Sequence, residues 1–123
     1  MKAEELRIGN LVNFFDDNTI FVVTEINSIG IGVENKEEAT WIELDRFEPI
    51  PLTEEWLTKL GFKGRIDFKW VDIVGIQIRG DKYYLAPKDL SNVIFHSIVE
   101  IKHVHQLQNI HFALTSKELK IKE

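Results

Sequence analysis

Three of the four histidines lie in the run Lys102–Leu114, Lys-His-Val-His-Gln-Leu-Gln-Asn-Ile-His-Phe-Ala-Leu. Histidine is the side chain most often used for metal binding and for proton transfer near neutral pH. In an extended run His103 and His105 would share one face, as a pair of metal ligands requires. In a helix these two rings point about 200° apart, and His111 shares a face with neither. The cluster is therefore either a metal or catalytic site or part of a packed helix.

Two features of the run favour the helix. The apolar residues of Val104–Leu114 recur with helical rather than alternating spacing. The histidines are not part of a His-Glu-x-x-His pattern, and the run Lys102–Leu114 contains no carboxylate. We therefore predict no metal, no cofactor and no catalytic residue, and keep as candidate metal ligands only His103, His105 and His111.

The packed helix carries its own expectations. Its inward side should hold Leu107, Ile110, His111 and Leu114, and its outer or flanking faces Gln106, Gln108 and Asn109. Leu107→Ala should then cost about 2–4 kcal/mol, as large-to-small changes in a core do. His105→Ala should cost little.

The elements before this helix predict an α+β fold that is mainly antiparallel β. Residues 1–50 contain short β-branched segments separated by turn residues, which suggests a small β-barrel or a strongly curved sheet. With Arg7-Ile8-Gly9-Asn10 leading into the first strand, this half resembles SH3-like barrels. In the last of these segments, Thr40–Leu44, Trp41 and Glu43 should share one face. The strands predicted in this half are Leu11–Phe15, Thr19–Asn27, Ile29–Glu34 and Thr40–Leu44.

Pro49-Ile50-Pro51 marks the predicted boundary between residues 1–50 and an α+β unit, residues 51–123, packed against them. A short helix should follow, capped by Thr53 and ended by Gly61. Gly80-Asp81 is a two-residue hairpin signal, which accounts for the Arg-Gly-Asp tripeptide at this point. The strands predicted in this half are Ile66–Trp70, Ile73–Arg79, Lys82–Ala86, Asn92–Lys102 and, at the end, Leu119–Lys122.

The aromatic residues of the second half suggest a contact surface. Strand aromatics serve packing and protein interfaces more often than they stack on bases. The candidate binding surface consists of Trp70, Tyr83 and Tyr84.

Composition narrows the possible partners. The chain has no cysteine and a net charge of −5, with residues 1–52 at −7 and residues 53–123 at +2. The acidic half should repel phosphate backbones, so composition argues against nucleic acid. No apolar run approaches the ~20 residues of a membrane span, and the N-terminal residues lack the apolar core of a signal peptide. We expect a cytoplasmic protein that contacts a protein partner or another copy of itself, and no membrane.

Three segments carry a resemblance. They are Arg7-Ile8-Gly9-Asn10, Pro49-Ile50-Pro51-Leu52-Thr53-Glu54-Glu55-Trp56-Leu57 with Leu60-Gly61-Phe62, and Val104-His105-Gln106-Leu107-Gln108-Asn109 with Phe112-Ala113-Leu114-Thr115. Together they resemble short uncharacterised proteins of Bacteroides-type bacteria and of their prophages and mobile elements. The resemblance covers both ends and the linker and implies a bacterial cytoplasmic setting. It brings no functional residue.

The sequence therefore favours a non-enzymatic binding or assembly module, and the resemblance implies a connection with a phage or mobile element. This hypothesis follows from the missing catalytic motifs together with abundant aromatic and strand-edge residues. Two alternatives stay open. One is a nucleic-acid-associated accessory protein acting through residues 53–123. The other is a metal-dependent enzyme built on the three histidines of the run.

Overall fold

A computed structural model describes residues 3–87 and 99–122. By its contacts the chain divides into two units. The first unit comprises Met1–Ile50 and His103–Asn109, and the second comprises Pro51–Lys102 and Ile110–Glu123. The α+β prediction is confirmed, because within the described residues antiparallel strands form two sheets and two α-helices accompany them. That residues 51–123 pack against residues 1–50 stays a prediction.

The sheet of the first unit has five antiparallel strands in the order β4-β3-β2-β1-β5. Their bounds are β1 Leu11–Phe14, β2 Thr19–Ile26, β3 Gly30–Glu34, β4 Ala39–Glu43 and β5 Phe47–Glu48. Within the described residues this sheet is open, so the prediction of a closed barrel is wrong. Two-residue β5 is too short to continue the ladder round to β4, and Pro49 follows it at once. β2 carries a register irregularity between Val23 and Glu25, a feature that bends a strand locally.

Strand alternation separates the two faces of the last long strand of the first unit as the sequence predicts. Ile42 and Leu44 pack against the core, whereas Trp41 and Glu43 are exposed. The rings of Phe21 and Phe47 meet edge to face inside it. The buried apolar residues of this core are Leu6, Val12, Phe21, Val23, Ile31, Val33 and Phe47.

The second unit holds a four-stranded antiparallel sheet in the order β6-β7-β8-β9. Thr53 caps the preceding helix by accepting a hydrogen bond from the Trp56 N–H, and Gly61 ends it at a positive φ of 90°. Gly80-Asp81 closes the predicted two-residue hairpin. The bounds are α1 Glu54–Lys59, β6 Lys63–Gly64, β7 Phe68–Val71, β8 Val74–Arg79 and β9 Lys82–Pro87.

The last predicted strands have different outcomes. Most of the predicted strand Asn92–Lys102 lies outside the described residues, but its far end pairs with β9 through a bridge between Tyr84 and Glu100. The predicted terminal strand Leu119–Lys122 is wrong, since no ladder forms there. Leu119 is instead buried, and the N–H of Lys122 donates to the carbonyl of Lys59.

The predicted helix at the start of the histidine run is confirmed, and it extends over Val104–Thr115 as α2. Its first turn is prepared by Gln106, whose side chain accepts a hydrogen bond from the His103 N–H. Residues as far as Asn109 group with the first unit, and those from Ile110 with the second. Among the described residues no helix is long and apolar enough to cross a membrane.

Candidate functional site

The faces of α2 only partly follow the predicted stripe. Leu107 and His111 are buried as predicted, and Ile110 is half-buried. Leu114, predicted to point inward, is 53% exposed, and Gln108, predicted to lie on an outer or flanking face, is 1% exposed. The helix is buried over its first part on a wider arc than a single apolar stripe describes, and this arc admits polar residues that find hydrogen-bond partners.

His103 and His105 lie side by side without converging on one point. Their rings stack with centroids 5.8 Å apart and planes inclined by 16°. His105 is 3% exposed, its Nε2 lies 3.9 Å from a Glu5 carboxylate oxygen, and its Nδ1 is buried without a hydrogen-bond partner among the described residues. Burial lowers the pKa of His105, the neighbouring His103 lowers it further, and Glu5 opposes both. The ring therefore favours its neutral form.

His111 occupies a different setting in the second unit. Its Nε2 donates to the Asp72 carboxylate at 3.0 Å. Its Nδ1 lies 3.0 Å from the Lys117 carbonyl oxygen, which a turn at Ser116 (φ 60°) brings back towards the helix. The Thr115 hydroxyl donates to the His111 carbonyl and lies 3.3 Å from Nδ1. The hydrogen bond from His111 lowers the pKa of the Asp72 carboxyl. Burial of the carboxyl opposes this shift, and the nearby charge of Lys117 lowers the pKa further.

A shallow surface depression of about 350 Å³ lies against this pair, lined by Asp72, Ile73, Leu114, Thr115 and Lys117. A catalytic histidine needs a ring nitrogen within reach of its substrate. Both nitrogens of His111 are already engaged by groups of the protein. Across residues 3–87 and 99–122, no three His, Cys, Asp or Glu side chains are placed to hold a metal ion. The geometry of the three histidines thus fits packing and hydrogen bonding.

The polar residues beside the histidines hold the first unit together. Gln108 accepts from the Leu11 N–H at 2.8 Å and donates to the Gly9 carbonyl at 3.2 Å. Asn109 accepts from the buried Asn10 amide at 2.8 Å and from the Arg7 guanidinium at 3.2 Å. Gly9 has a positive φ of 100°, which glycine adopts without strain. Two of the resembling segments are therefore partners in one structural network.

The three aromatic residues of the candidate binding surface do not share a face. Ladder register places Trp70 and Tyr84 on one side of the second sheet and Tyr83 on the other. All three are half-buried. Trp70 covers Gly64, where an added Cβ would lie 2.6 Å from a ring carbon. Whether Trp70, Tyr83 and Tyr84 bind a partner stays a prediction.

The outer strand of the first sheet presents a free edge. The Asn27 N–H donates to the Gly30 carbonyl, and the Asn35 N–H donates to the Glu38 carbonyl. In an antiparallel ladder the residues of a strand turn their backbone groups alternately to either side. In β4, Thr40 and Ile42 therefore pair with β3. The N–H groups that point outward belong to Ala39, Trp41 and Glu43.

The other sheet edges are protected. β5 is two residues long and precedes a proline, and β6 is also two residues long and begins with Lys63. β9 is covered by the chain around Glu100: the Leu85 N–H donates to the Val99 carbonyl, and the Ile101 N–H donates to the Tyr83 carbonyl. By contrast β4 has five residues, Ala-Thr-Trp-Ile-Glu, without lysine, proline or glycine. In the described part of the chain no hydrogen bond reaches its outward N–H groups.

The sequence predicts this strand as Thr40–Leu44, close to the observed Ala39–Glu43, but does not indicate that it lies at a sheet edge. The available signal was the absence of lysine and proline from a strand that also exposes a tryptophan. The sequence does not give the order of the strands in the sheet. Only the observed ladder of hydrogen bonds shows that β4 lies outermost. Compared with protein-family models, curated proteins and solved structures, the chain matches none.

Proposed function

We propose that this protein is a non-enzymatic binding module that takes up an extended segment of another protein along the edge of β4. The observation that carries the proposal is the outward row of N–H groups at Ala39, Trp41 and Glu43. An added strand would satisfy these groups, and main-chain hydrogen bonds of this kind supply affinity in many peptide-recognition domains. Trp41, 42% exposed, would give the segment an apolar contact.

Panning a phage-displayed library of random linear peptides against the protein tests this proposal. A selected peptide is then titrated by fluorescence anisotropy into the wild type, Glu43→Pro and Glu43→Ala. Glu43 has a φ of −60°, which proline also adopts, so the proline variant removes the outward N–H with little change of backbone. Both variants lack the carboxylate, and only the proline variant lacks the donor.

We expect the proline variant to bind about tenfold more weakly than the alanine variant, from one lost hydrogen bond and the ring's obstruction. Thermal unfolding checks that both variants fold. In the wild type, the selected peptide should also slow hydrogen exchange at the Trp41 amide. Peptides that bind both variants equally and leave this amide unprotected would overturn the proposal. Dimerisation lost only in Glu43→Pro would replace the partner by a second copy of the chain.

The two alternatives from the sequence are tested separately. DNA or RNA retained at low salt by residues 53–123 of the intact chain, and lost on charge reversal there, would favour the nucleic-acid alternative. Hydrolytic turnover abolished by one substitution at His103, His105 or His111 would contradict a non-enzymatic role.

A further inference from the structure

The outer face of the first sheet around Trp41 is acidic. Ladder register aligns Glu25 of β2, Gly32 of β3 and Trp41 of β4 in one row across the sheet. Glu34 lies opposite Ala39, and Glu43 follows two residues after Trp41, so both carboxylates share this face with the ring. All three glutamates are exposed.

Gly32 leaves the centre of this row open. A Cβ added at Gly32 would lie 3.1 Å from the Glu25 Cβ and 3.6 Å from its Oε2. The Glu25 carboxylate therefore extends over the bare glycine towards the strand that carries Trp41. A positive side chain resting on Trp41 would find the ring face and a carboxylate together, and each attracts a cation.

Resting on the proposed docking at β4, we infer that the partner segment is basic, with lysine or arginine at alternate positions. The backbone groups of Trp41 point outward, so the residue paired with it would place its side chain on the same face as the ring. Residues two positions to either side would meet the faces of Ala39 and Glu43, where Glu34 and Glu43 lie. The intervening residues would continue the face of Ile42 and are expected to be apolar.

Charge also argues against a second copy of this chain as the occupant. Residues 1–52 carry eleven acidic and four basic side chains. Two copies joined along β4 would bring these acidic faces together, and like charges close to each other destabilise an interface. A basic segment of a different protein would instead be attracted to this acidic face.

Synthetic peptides of about seven residues, a common strand length, test the inference by fluorescence anisotropy. The first alternates lysine with valine, the second has glutamine in place of each lysine, and the third groups the same lysines and valines in two blocks. We expect the alternating lysine peptide to bind at least about tenfold more tightly than either other peptide at low salt. The difference should shrink at about 1 M salt, where charges are screened within about 3 Å.

Variants of the acidic face locate the effect. Glu25→Gln and Glu34→Gln should each weaken the lysine peptide about two- to fivefold, and Trp41→Leu by a similar factor. Glu48→Gln is the matched control, because Glu48 lies in β5 at the opposite edge of the same sheet. Its affinity should equal that of the wild type.

The two proposals fail in different ways. If the glutamine peptide binds as tightly as the lysine peptide, and Glu43→Pro weakens both, strand docking stands and the basic partner is overturned. If the lysine peptide binds but Glu43→Pro behaves as Glu43→Ala does, docking on β4 is overturned and the basic segment along that strand with it. Equal loss in Glu48→Gln and Glu25→Gln would also overturn the inference.

Discussion

His105 and His111 are buried in the same helix, six residues apart, yet their surroundings differ in kind. Both nitrogens of His111 meet groups of the protein, whereas Nδ1 of His105 has no partner among the described residues. His111 is held between a carboxylate and a carbonyl, and His105 by a stacked imidazole and a distant carboxylate. Burial of an imidazole therefore says little until the environment of each nitrogen is known.

The largest effect is expected at His111. His111→Ala should lower the free energy of unfolding by about 3–5 kcal/mol, because it opens a cavity, leaves the Asp72 carboxylate without its donor and removes the ring that contacts the Lys117 carbonyl. Urea denaturation at neutral pH measures this loss. A loss below about 1 kcal/mol would show that the hydrogen bonds of His111 do not stabilise the second unit.

Leu107 lies between the two histidines in the sequence, and its replacement measures the contribution of apolar packing alone. It is fully buried, so Leu107→Ala should cost about 2–4 kcal/mol. The same urea titration applies, with Leu114→Ala as control, since Leu114 is on the same helix and largely exposed. If the two leucine variants lose equal stability, the assignment of the buried face is wrong.

Asp72 tests how much the carboxylate that accepts a hydrogen bond from His111 contributes to stability. Its folded pKa is lowered, so its contribution is present above about pH 4 and is lost as the pH falls through the folded value. Since the carboxylate is half-exposed, Asp72→Asn should cost only about 0.5–1 kcal/mol at neutral pH, and the difference from the wild type should vanish in strong acid. Asp67→Asn, at an exposed carboxylate of the same unit, is the control. A difference from the wild type that persists in strong acid would contradict this account.

The smallest effect is expected for His105→Phe. The folded pKa of His105 is lowered, so between that value and about 6.5 the unfolded chain binds more protons and stability falls as the pH drops. His105→Phe fills the same space without the unpaired nitrogen. It should change stability at neutral pH by less than about 1 kcal/mol and flatten the fall on acidification.

Comparing His105→Ala with His105→Phe separates the cost of the cavity from the cost of protonating the buried imidazole. Because His105 is buried, His105→Ala should cost about 1–3 kcal/mol through the cavity, more than the sequence alone suggests. Urea titrations at about pH 7.5 and 5.5 distinguish the variants. A phenylalanine variant as sensitive to acid as the wild type would show that His105 is not the titrating group.

The sequence was sufficient for elements whose signals are local. Thr53 and Gly61 mark the ends of α1, and Gly80-Asp81 closes the β8–β9 hairpin, because capping and turn chemistry depend on near neighbours. The helical spacing of α2 was equally readable. The burial of its polar residues could not be predicted in the same way. Gln108 is buried because its side chain accepts a hydrogen bond from the backbone N–H of Leu11, which lies 97 residues away.

The candidate site was harder to predict for the same reason. Trp41 and Glu43 were correctly placed on one face of their strand by alternation. That this strand is outermost, with Glu25 and Gly32 beside it, depends on strand order and register. Likewise, the pairing of His111 with Asp72 joins residues 39 apart, and no local pattern announces it.

The discontinuous first unit has a consequence for synthesis. Its sheet is complete once Ile50 has been made, but the helix residues that bond to Leu11 and Gly9 follow 97 and 99 residues after those positions. At the usual elongation rate of about 5–20 residues per second, the segment from residue 50 to residue 109 takes roughly 3–12 s to make. During that interval the N-terminal sheet leaves the ribosome without its helix. Asn10 and the backbone beside it would meet water, or a chaperone, until the histidine run emerges.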